Sequence, residues 1–382
     1  MFRKMKALAT LAFALMILAG SFAGAEPVAK IGGMLLFGSE FIGELPNGRM
    51  VFSADNVLES GMSRLQCLEP EGTVAWALSD YTRNYTPAVI TEDGTIAIQK
   101  KDKIVFLSPE GKETGKEIPL ATDEGIWYEL TSRGMMKYCR AEDTIKSVEF
   151  IDWEGQTLFS LDPGRVVRGE GMIADQDGLL MMGHAQGADW DEAIKVVRVD
   201  WQGKILWERP LPRWKNYDWN YLRRAKVTSD GCILVLYTQE IYSFPERKSY
   251  TQLIKIGADT EILWTKEAVL DGEKGREFTD VAEYGGKYVI TCRLEKQELH
   301  SATQNYLWLD ADGNELGTVR QSIRQVDFPD LEDQRDVDYL GEELFSAGGN
   351  LWQVFTAYDV YPDNIREGRS SERRMLFRIP TL

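Results

Sequence analysis

The stretch Val199-Asp200-Trp201-Gln202-Gly203-Lys204-Ile205-Leu206-Trp207 decides the fold of this chain. It ends one apolar strand, turns at a glycine and opens a second strand with an aromatic residue four positions after that glycine. The same phrase occurs at Leu68-Glu69-Pro70-Glu71-Gly72 with Trp76 and at Ile151-Asp152-Trp153-Glu154-Gly155 with Phe159. A repeat of roughly 40 to 55 residues in a strand-rich chain is typical of a β-propeller.

Tight turns divide the chain into seven units of four short strands. The turns between the first two strands of each unit favour two-residue hairpins, because Gly, Asn and Asp tolerate positive φ. These turns are Asn47-Gly48, Asp93-Gly94, Arg133-Gly134, Asp177-Gly178, Asp230-Gly231, Gly285-Gly286 and Gly348-Gly349. We therefore predict an all-β fold, a seven-bladed β-propeller of four-stranded antiparallel blades.

The last unit contains only three predicted strands, the third from Met375 to Ile379. The apolar segment Ile31 to Phe37 precedes the first unit. We expect this mature N-terminal strand to pair with the C-terminal blade and close the ring, because the pairing removes an unpaired sheet edge.

Residues 1–25 have the three parts of an export signal. Cations at positions 3, 4 and 6 precede the apolar run Ala7 to Gly20, and Ala23-Gly24-Ala25 forms a small-residue cleavage site. Ser21 stands where a bacterial lipoprotein precursor carries cysteine. We expect a signal peptide at 1–25, a single propeller domain at 26–382, and an exported bacterial protein that is secreted, periplasmic or held in the cell envelope and is not a lipoprotein.

Acidic residues dominate the charge of the chain. Loss of the three signal cations would change the formal net charge from -16 to -19. Such a protein repels phosphate backbones and anionic lipid. We expect no nucleic-acid partner, no integral membrane segment after signal removal, and a monomer.

Four cysteines lie far apart in the sequence: Cys67, Cys139, Cys232 and Cys292. They are too few for a disulfide-stapled scaffold, and none has the spacing of a zinc ribbon or a c-type haem attachment. We expect buried free thiols.

The stretch from Asp200 to Trp207 resembles the tryptophan-docking repeat of the PQQ-like (quinoprotein-like) β-propeller superfamily, which includes the propeller component of the outer-membrane protein assembly machinery. It is one residue shorter between Asp and Gly than that family's usual spacing. Gly115 and Gly317 occupy the aromatic position in the second and sixth units. The repeated aromatic residues are predicted to pack between blades, and they are Trp76, Trp207 and Trp264.

The quinoprotein dehydrogenases of that superfamily also need paired neighbouring cysteines, a metal-binding acid cluster and often haem. This chain has no adjacent cysteine pair and no haem motif. We therefore expect a non-catalytic branch of the superfamily, with no cofactor and no metal.

Loop length differs between the two ends of the blades. Both tight turns of a blade lie at one end, here called the turn face. The loops between the second and third strands lie at the other end, the loop face, together with the crossovers between blades. Every long insertion belongs to the loop face: Gly183 to Ala193, Thr238 to Gln252, Arg293 to Asn305 and Tyr358 to Arg374. Rigid scaffolds carry binding residues on such loops, so we predict function there.

One crossover, Pro212 to Arg224, concentrates aromatic residues among polar and basic ones. Flat rings beside hydrogen-bonding groups suit sugars and protein interfaces, although rings here also suit the space between blades. The candidate binding residues of the loop face are Trp214, Tyr217, Trp219, Tyr221, Asp189, Trp190, Asp191, His184 and His300.

These observations predict a non-catalytic module that binds protein or glycan through its loop face. The alternative is a carbohydrate-active enzyme, of glycosidase or lyase type, with an acidic pocket at the pore mouth. Such a site needs two carboxylates about 5 to 10 Å apart. Its candidate acids are Asp189, Asp191, Glu192, Asp218 and Asp336. Two histidines make Ser-His-Asp triads and His-rich metal sites hard to assemble, so the sequence favours a protein that is not an enzyme.

Overall fold

The structure is a computed structural model. It describes residues 26–30, 39–56, 62–81, 88–141, 144–165, 167–185, 194–212, 217, 219–243, 246–271, 274–294, 301–324, 337–359, 373–379 and 381–382.

Short antiparallel strands make up almost all of the described chain, and each unit runs from an inner strand to an outer one. The first N-terminal strand is β1 (Glu26–Lys30). The first blade contains β2 (Ser39–Glu44), β3 (Met50–Asn56), β4 (Met62–Leu68) and β5 (Val74–Tyr81). The second contains β6 (Ala88–Ile90), β7 (Ile96–Gln99), β8 (Lys103–Leu107) and β9 (Glu113–Pro119). The third contains β10 (Ile126–Thr131), β11 (Gly134–Ala141), β12 (Thr144–Asp152) and β13 (Thr157–Leu161), followed by a 3-10 turn at Pro163–Arg165.

The remaining strands continue the pattern. The fourth blade contains β14 (Val167–Ala174), β15 (Leu179–Ala185), β16 (Lys195–Val199) and β17 (Ile205–Pro210). Then come β18 (Trp219–Val227), β19 (Ile233–Ser243), β20 (Glu246–Ile256), β21 (Ile262–Asp271), β22 (Lys274–Tyr284), β23 (Lys287–Leu294), β24 (Ser301–Leu309) and β25 (Glu315–Arg324). The last blade contains β26 (Val337–Ala347), β27 (Asn350–Asp359) and β28 (Arg373–Arg378), with β1 on its outer edge.

The inner strands form a closed ring, because each contacts the next along the chain and β26 contacts β2. The all-β propeller of four-stranded antiparallel blades is confirmed. The prediction of seven separate blades is wrong. The described strands form five separate four-stranded blades, whereas β18 to β25 form one continuous eight-stranded sheet. The physical reason is the link between β21 and β22. Leu270 pairs with Gly275 and Asp271 with Lys274, so this predicted crossover is a hairpin whose two strands share a ladder.

The N-terminal strand lies on the last blade, but at a different place in the sequence from the one predicted. Glu26–Lys30 pairs antiparallel with β28, with Glu26 opposite Arg378 and Lys30 opposite Met375. Residues 31–37, the segment we expected to make this pair, lie outside the described residues. β1 therefore covers the edge of β28 that would otherwise be unpaired.

Apolar side chains fill the space between neighbouring blades. Phe52 of the first blade packs with Phe345 and Trp352 of the last, which joins the two ends of the ring. Two of the cysteines, Cys67 and Cys292, belong to such cores and are buried, whereas Cys139 and Cys232 are partly exposed, and all four are free thiols.

We predict two classes of thiol reactivity. Burial raises the pKa of both Cys67 and Cys292 to about 11, so neither forms appreciable thiolate at pH 8. Burial also raises the pKa of Cys232, but its side chain is partly exposed, as is that of Cys139. In the native protein, an aromatic disulfide reagent should therefore modify Cys139 and Cys232 at least ten times faster than the other two, as measured by peptide mass spectrometry. In urea all four should react alike. Equal native rates would contradict the packing.

Candidate functional site

β-Bulges interrupt five of the inner strands near their middle. The strand register shifts in β2, β14, β18, β22 and β26. In a bulge, two consecutive residues of one strand lie opposite a single residue of the partner strand, which changes the direction of their side chains. In β18 the bulge lies at Arg223 and Arg224, and both side chains reach neighbouring strands.

Arg224 is the centre of a buried ionic network. Its Nε and Nη2 donate to the Asp280 carboxylate at 2.9 and 2.8 Å, and its Nη1 donates to Glu343 Oε1 at 3.1 Å. Desolvation alone would lower the pKa of Arg224, but the two carboxylates outweigh it and raise that pKa above its ordinary value. The guanidinium is therefore charged at every pH at which the protein folds.

The same carboxylates continue the network to further strands. Asp280 Oδ2 accepts the backbone N–H of Leu344 at 2.7 Å. Glu343 Oε2 accepts the backbone N–H of Phe41 at 2.5 Å. Side chains on β18, β22 and β26 thus tie together four inner strands, with β2 as the fourth.

A second cluster lies beside the first, nearer the loop face. Arg223 donates to Glu277 and, at 2.6 Å, to Thr238 Oγ1. The Tyr221 hydroxyl donates to Glu240 Oε1 at 2.8 Å and accepts from Arg223 at 3.0 Å. Burial raises the pKa of Tyr221 above its ordinary value despite the nearby arginine, so the phenol remains a neutral donor.

The four aromatic residues of the predicted crossover have different environments. Tyr217 is buried and accepts a hydrogen bond from Asn220 at 3.2 Å, so its ring is not displayed on the surface. Trp219 is 51% exposed at the loop-face end of β18. Tyr221 is half-buried in the second cluster, and Trp214 lies outside the described residues.

Of the other candidate binding residues, the structure describes only His184. His184 is buried within β15. Asp189, Trp190, Asp191 and His300 lie outside the described residues, as do Glu192, Asp218 and Asp336 of the enzyme alternative.

Sequence reasoning missed the Arg224 network. The pair Arg223-Arg224 was visible as basic residues in the aromatic crossover, but its acidic partners lie 54 to 119 residues away. A local pattern carries no signal of such a pairing.

On the turn face, aromatic residues pack against glycines of the next unit. A Cβ added to Gly111 would lie 2.7 Å from the Trp76 ring, and one added to Gly313 would lie 2.8 Å from the Trp264 ring. Each indole also donates to a carbonyl two residues before its glycine, at 2.9 Å to Pro109 and 3.1 Å to Ala311. The predicted packing of these two tryptophans between blades is confirmed. Phe159 approaches Gly203 in the same way.

Other residues fill the junctions where the aromatic is missing. At the junction between the second and third blades, where Gly115 replaces the aromatic residue, the Trp153 ring of the third blade is buried. It lies edge-on to Phe106, with the two ring centroids 5.5 Å apart. At Gly317, the nearest side chain to the position that a Cβ would occupy is that of Leu382, at 3.7 Å. These two departures from the repeat are therefore compensated by side chains from elsewhere in the chain.

Two cavities open on the turn face of the described chain. One, of about 400 Å³, lies among Arg133, Trp153 and Trp201. The other, of about 710 Å³, lies between Trp207 of the fourth blade and Thr228 of the next unit. The sequence predicts function on the loop face, whereas these two cavities lie on the turn face.

Within the described residues, no group of three or more His, Cys, Asp and Glu side chains is arranged to hold a metal ion. No helix in that part of the chain is long and apolar enough to cross a membrane.

No protein-family model matches the chain, and no curated protein matches its sequence. Among solved structures, the chain is similar to the N-terminal domain of Nup159, with 12% identity, a TM-score of 0.47, and coverage of 93% of this chain and 95% of that one. It is similar to the Dos1 propeller, with 11% identity, a TM-score of 0.42, and coverage of 87% and 76%. It is also similar to prolyl oligopeptidase B from Galerina marginata, with 10% identity, a TM-score of 0.47, and coverage of 84% of this chain and 47% of that one. Similarity at this level concerns the β-propeller fold and nothing further.

Proposed function

We propose that this protein is an exported, non-catalytic β-propeller of the PQQ-like type that binds protein or glycan through its loop face. One observation carries the proposal. Trp219 exposes half of its surface at the loop-face end of an inner strand, at the start of β18. Exposed indoles on rigid strands are common anchors of binding surfaces, since they bring a large contact area at a small entropic cost.

The strand that carries Trp219 is held firmly. Strand alternation places Trp219, Tyr221 and Arg223 on one side of β18. Tyr221 and Arg223 are fixed by Glu240 and Glu277, which are both buried. A ligand that contacts Trp219 would therefore meet a surface that needs little ordering on binding.

The same contacts give three buried acids a structural role. Glu277, Asp280 and Glu343 each accept hydrogen bonds from an arginine. These bonds tie neighbouring inner strands together and support the strand that carries Trp219.

The test compares Trp219→Ala with Leu263→Ala, a matched control because Leu263 is also 51% exposed but lies on an outer strand. Each protein, without residues 1–25, is immobilised and presented to a glycan array and, by photo-crosslinking, to bacterial envelope proteins. We expect Trp219→Ala to lower capture at least tenfold and Leu263→Ala to leave it unchanged. Both should retain stability within about 0.5 kcal/mol, as is usual for surface positions.

Equal capture by Trp219→Ala and the unsubstituted protein would contradict the proposal. Turnover of any captured glycan or peptide would contradict its non-catalytic part.

A further inference from the structure

One junction of the turn face lacks the glycine that receives an aromatic ring. At the equivalent turn after β20, Thr260 has φ of 74° and is the one non-glycine residue with positive φ among those described. The turn closes by a bond from Thr260 N–H to the Gly257 carbonyl at 2.9 Å. The threonine Cβ therefore projects where Gly111, Gly203 and Gly313 leave room for a ring.

The aromatic residue of this junction packs against apolar side chains of the next unit, as predicted, but it is not hydrogen-bonded to the turn as Trp76 and Trp264 are. Trp207 stands at the position of Trp76 and Trp264, four residues after Gly203. Within the described chain, its indole makes no hydrogen bond to Ala258, the residue that corresponds to Pro109 and Ala311. Trp207 instead lines the cavity of about 710 Å³, with Ala258 on the opposite side.

Apolar and charged side chains both line this cleft. Its apolar residues are Leu206, Trp207, Val227 and Ile233, and Leu206 is 48% exposed. The Arg198 guanidinium comes from the strand next to Trp207, where the two residues pair, and it is held by two hydrogen bonds to Asp175 at 2.8 and 2.5 Å. The carboxylate of Asp177 lies 3.9 Å from the same arginine, and its side chain is 88% exposed.

We propose that this cleft is a binding site for a neutral saccharide of one or two pyranose rings. A pyranose has an apolar C–H face, which fits an indole, and an edge of hydroxyls, which can donate to Asp177 and accept from Arg198. The volume lies in the range of about 300–1,000 Å³ typical of small-molecule sites. The strongly acidic protein disfavours an anionic ligand. The site is separate from the proposed loop-face surface and does not depend on it.

The experiment uses the protein without residues 1–25 and four neutral disaccharides: cellobiose, maltose, lactose and chitobiose. Binding is measured by saturation-transfer NMR and by calorimetry. We expect saturable binding of at least one of them, weakened at least tenfold by Trp207→Ala. Leu316→Ala, a surface substitution on the outer strand β25 that does not line the cleft, should bind as well as the unsubstituted protein.

Thr260→Gly gives the sharper test, because it restores the glycine of the repeat. We expect the Trp207 ring to dock on the turn, the cleft to close and saccharide binding to fall at least tenfold. The melting temperature should rise, since a β-branched residue at positive φ is strained. A merely destabilised variant would lose binding with a lower melting temperature instead.

Three results would overturn the proposal. One is no binding of any of the four disaccharides. Another is binding that survives both Trp207→Ala and Thr260→Gly. The third is loss of binding in Trp219→Ala but not in Trp207→Ala, which would assign the sugar to the loop face. Equal binding of sialyllactose would contradict the preference for a neutral ligand.

Discussion

Replacing Arg224 with Met is expected to lower the free energy of unfolding by about 3–5 kcal/mol. The substitution keeps the length of the side chain but removes the guanidinium that donates hydrogen bonds to both Asp280 and Glu343. These carboxylates are 3% and 8% exposed, so water cannot replace the lost partner. An uncompensated buried charge is far more costly than an unpaired surface charge. Urea unfolding followed by tryptophan fluorescence measures the change.

Two further variants decide whether the loss comes from this network. The triple substitution Arg224→Met, Asp280→Asn and Glu343→Gln should recover much of the stability, because it removes the orphaned charges with the cation. Lys103→Met removes the surface ion pair between Lys103 and Glu117, whose side chains are 34% and 47% exposed, and should leave the free energy of unfolding almost unchanged. If Arg224→Met costs no more than Lys103→Met, the network does not hold the inner strands together.

The turns of this propeller were predictable because their signals are local. Gly48, Gly94 and Gly231 have φ of 82°, 82° and 76°, which glycine adopts readily and other residues rarely do. The division into blades was less predictable. Only two residues separate Asp271 from Lys274, and whether so short a link forms a ladder depends on how the two units twist against each other.

The sites depend on residues far apart in sequence, which is why they were less predictable. Tyr217 and Trp219 are two positions apart in one aromatic segment, yet one is in the core and the other half exposed. Thr260 stands where the equivalent turns have Gly111, Gly203 and Gly313, and the cleft beside Trp207 is recognised only by comparison with the packing at those turns.

Gly111→Ala is expected to lower the free energy of unfolding by about 2–5 kcal/mol. Part of the loss, about 1–2 kcal/mol, is the strain of a side chain at φ of +76°. The remainder, about 1–3 kcal/mol, comes from overpacking against the Trp76 ring, which would lie 2.7 Å from the new Cβ. Moving the ring also breaks its hydrogen bond to Pro109. Chemical denaturation measures the loss.

Gly231→Ala separates these two contributions. Gly231 has the same φ of +76°, but a Cβ there would meet nothing within 4 Å, so its substitution carries the strain without the collision. We expect Gly231→Ala to cost about 1–2 kcal/mol. In the Trp76→Ala background, Gly111→Ala should cost no more than Gly231→Ala, because the ring is gone and the two effects are then not additive. If the two glycine substitutions lower the free energy of unfolding equally in the unsubstituted protein, the Trp76 ring moves aside without measurable loss of stability. In that case the aromatic repeat would not be what locks one blade to the next.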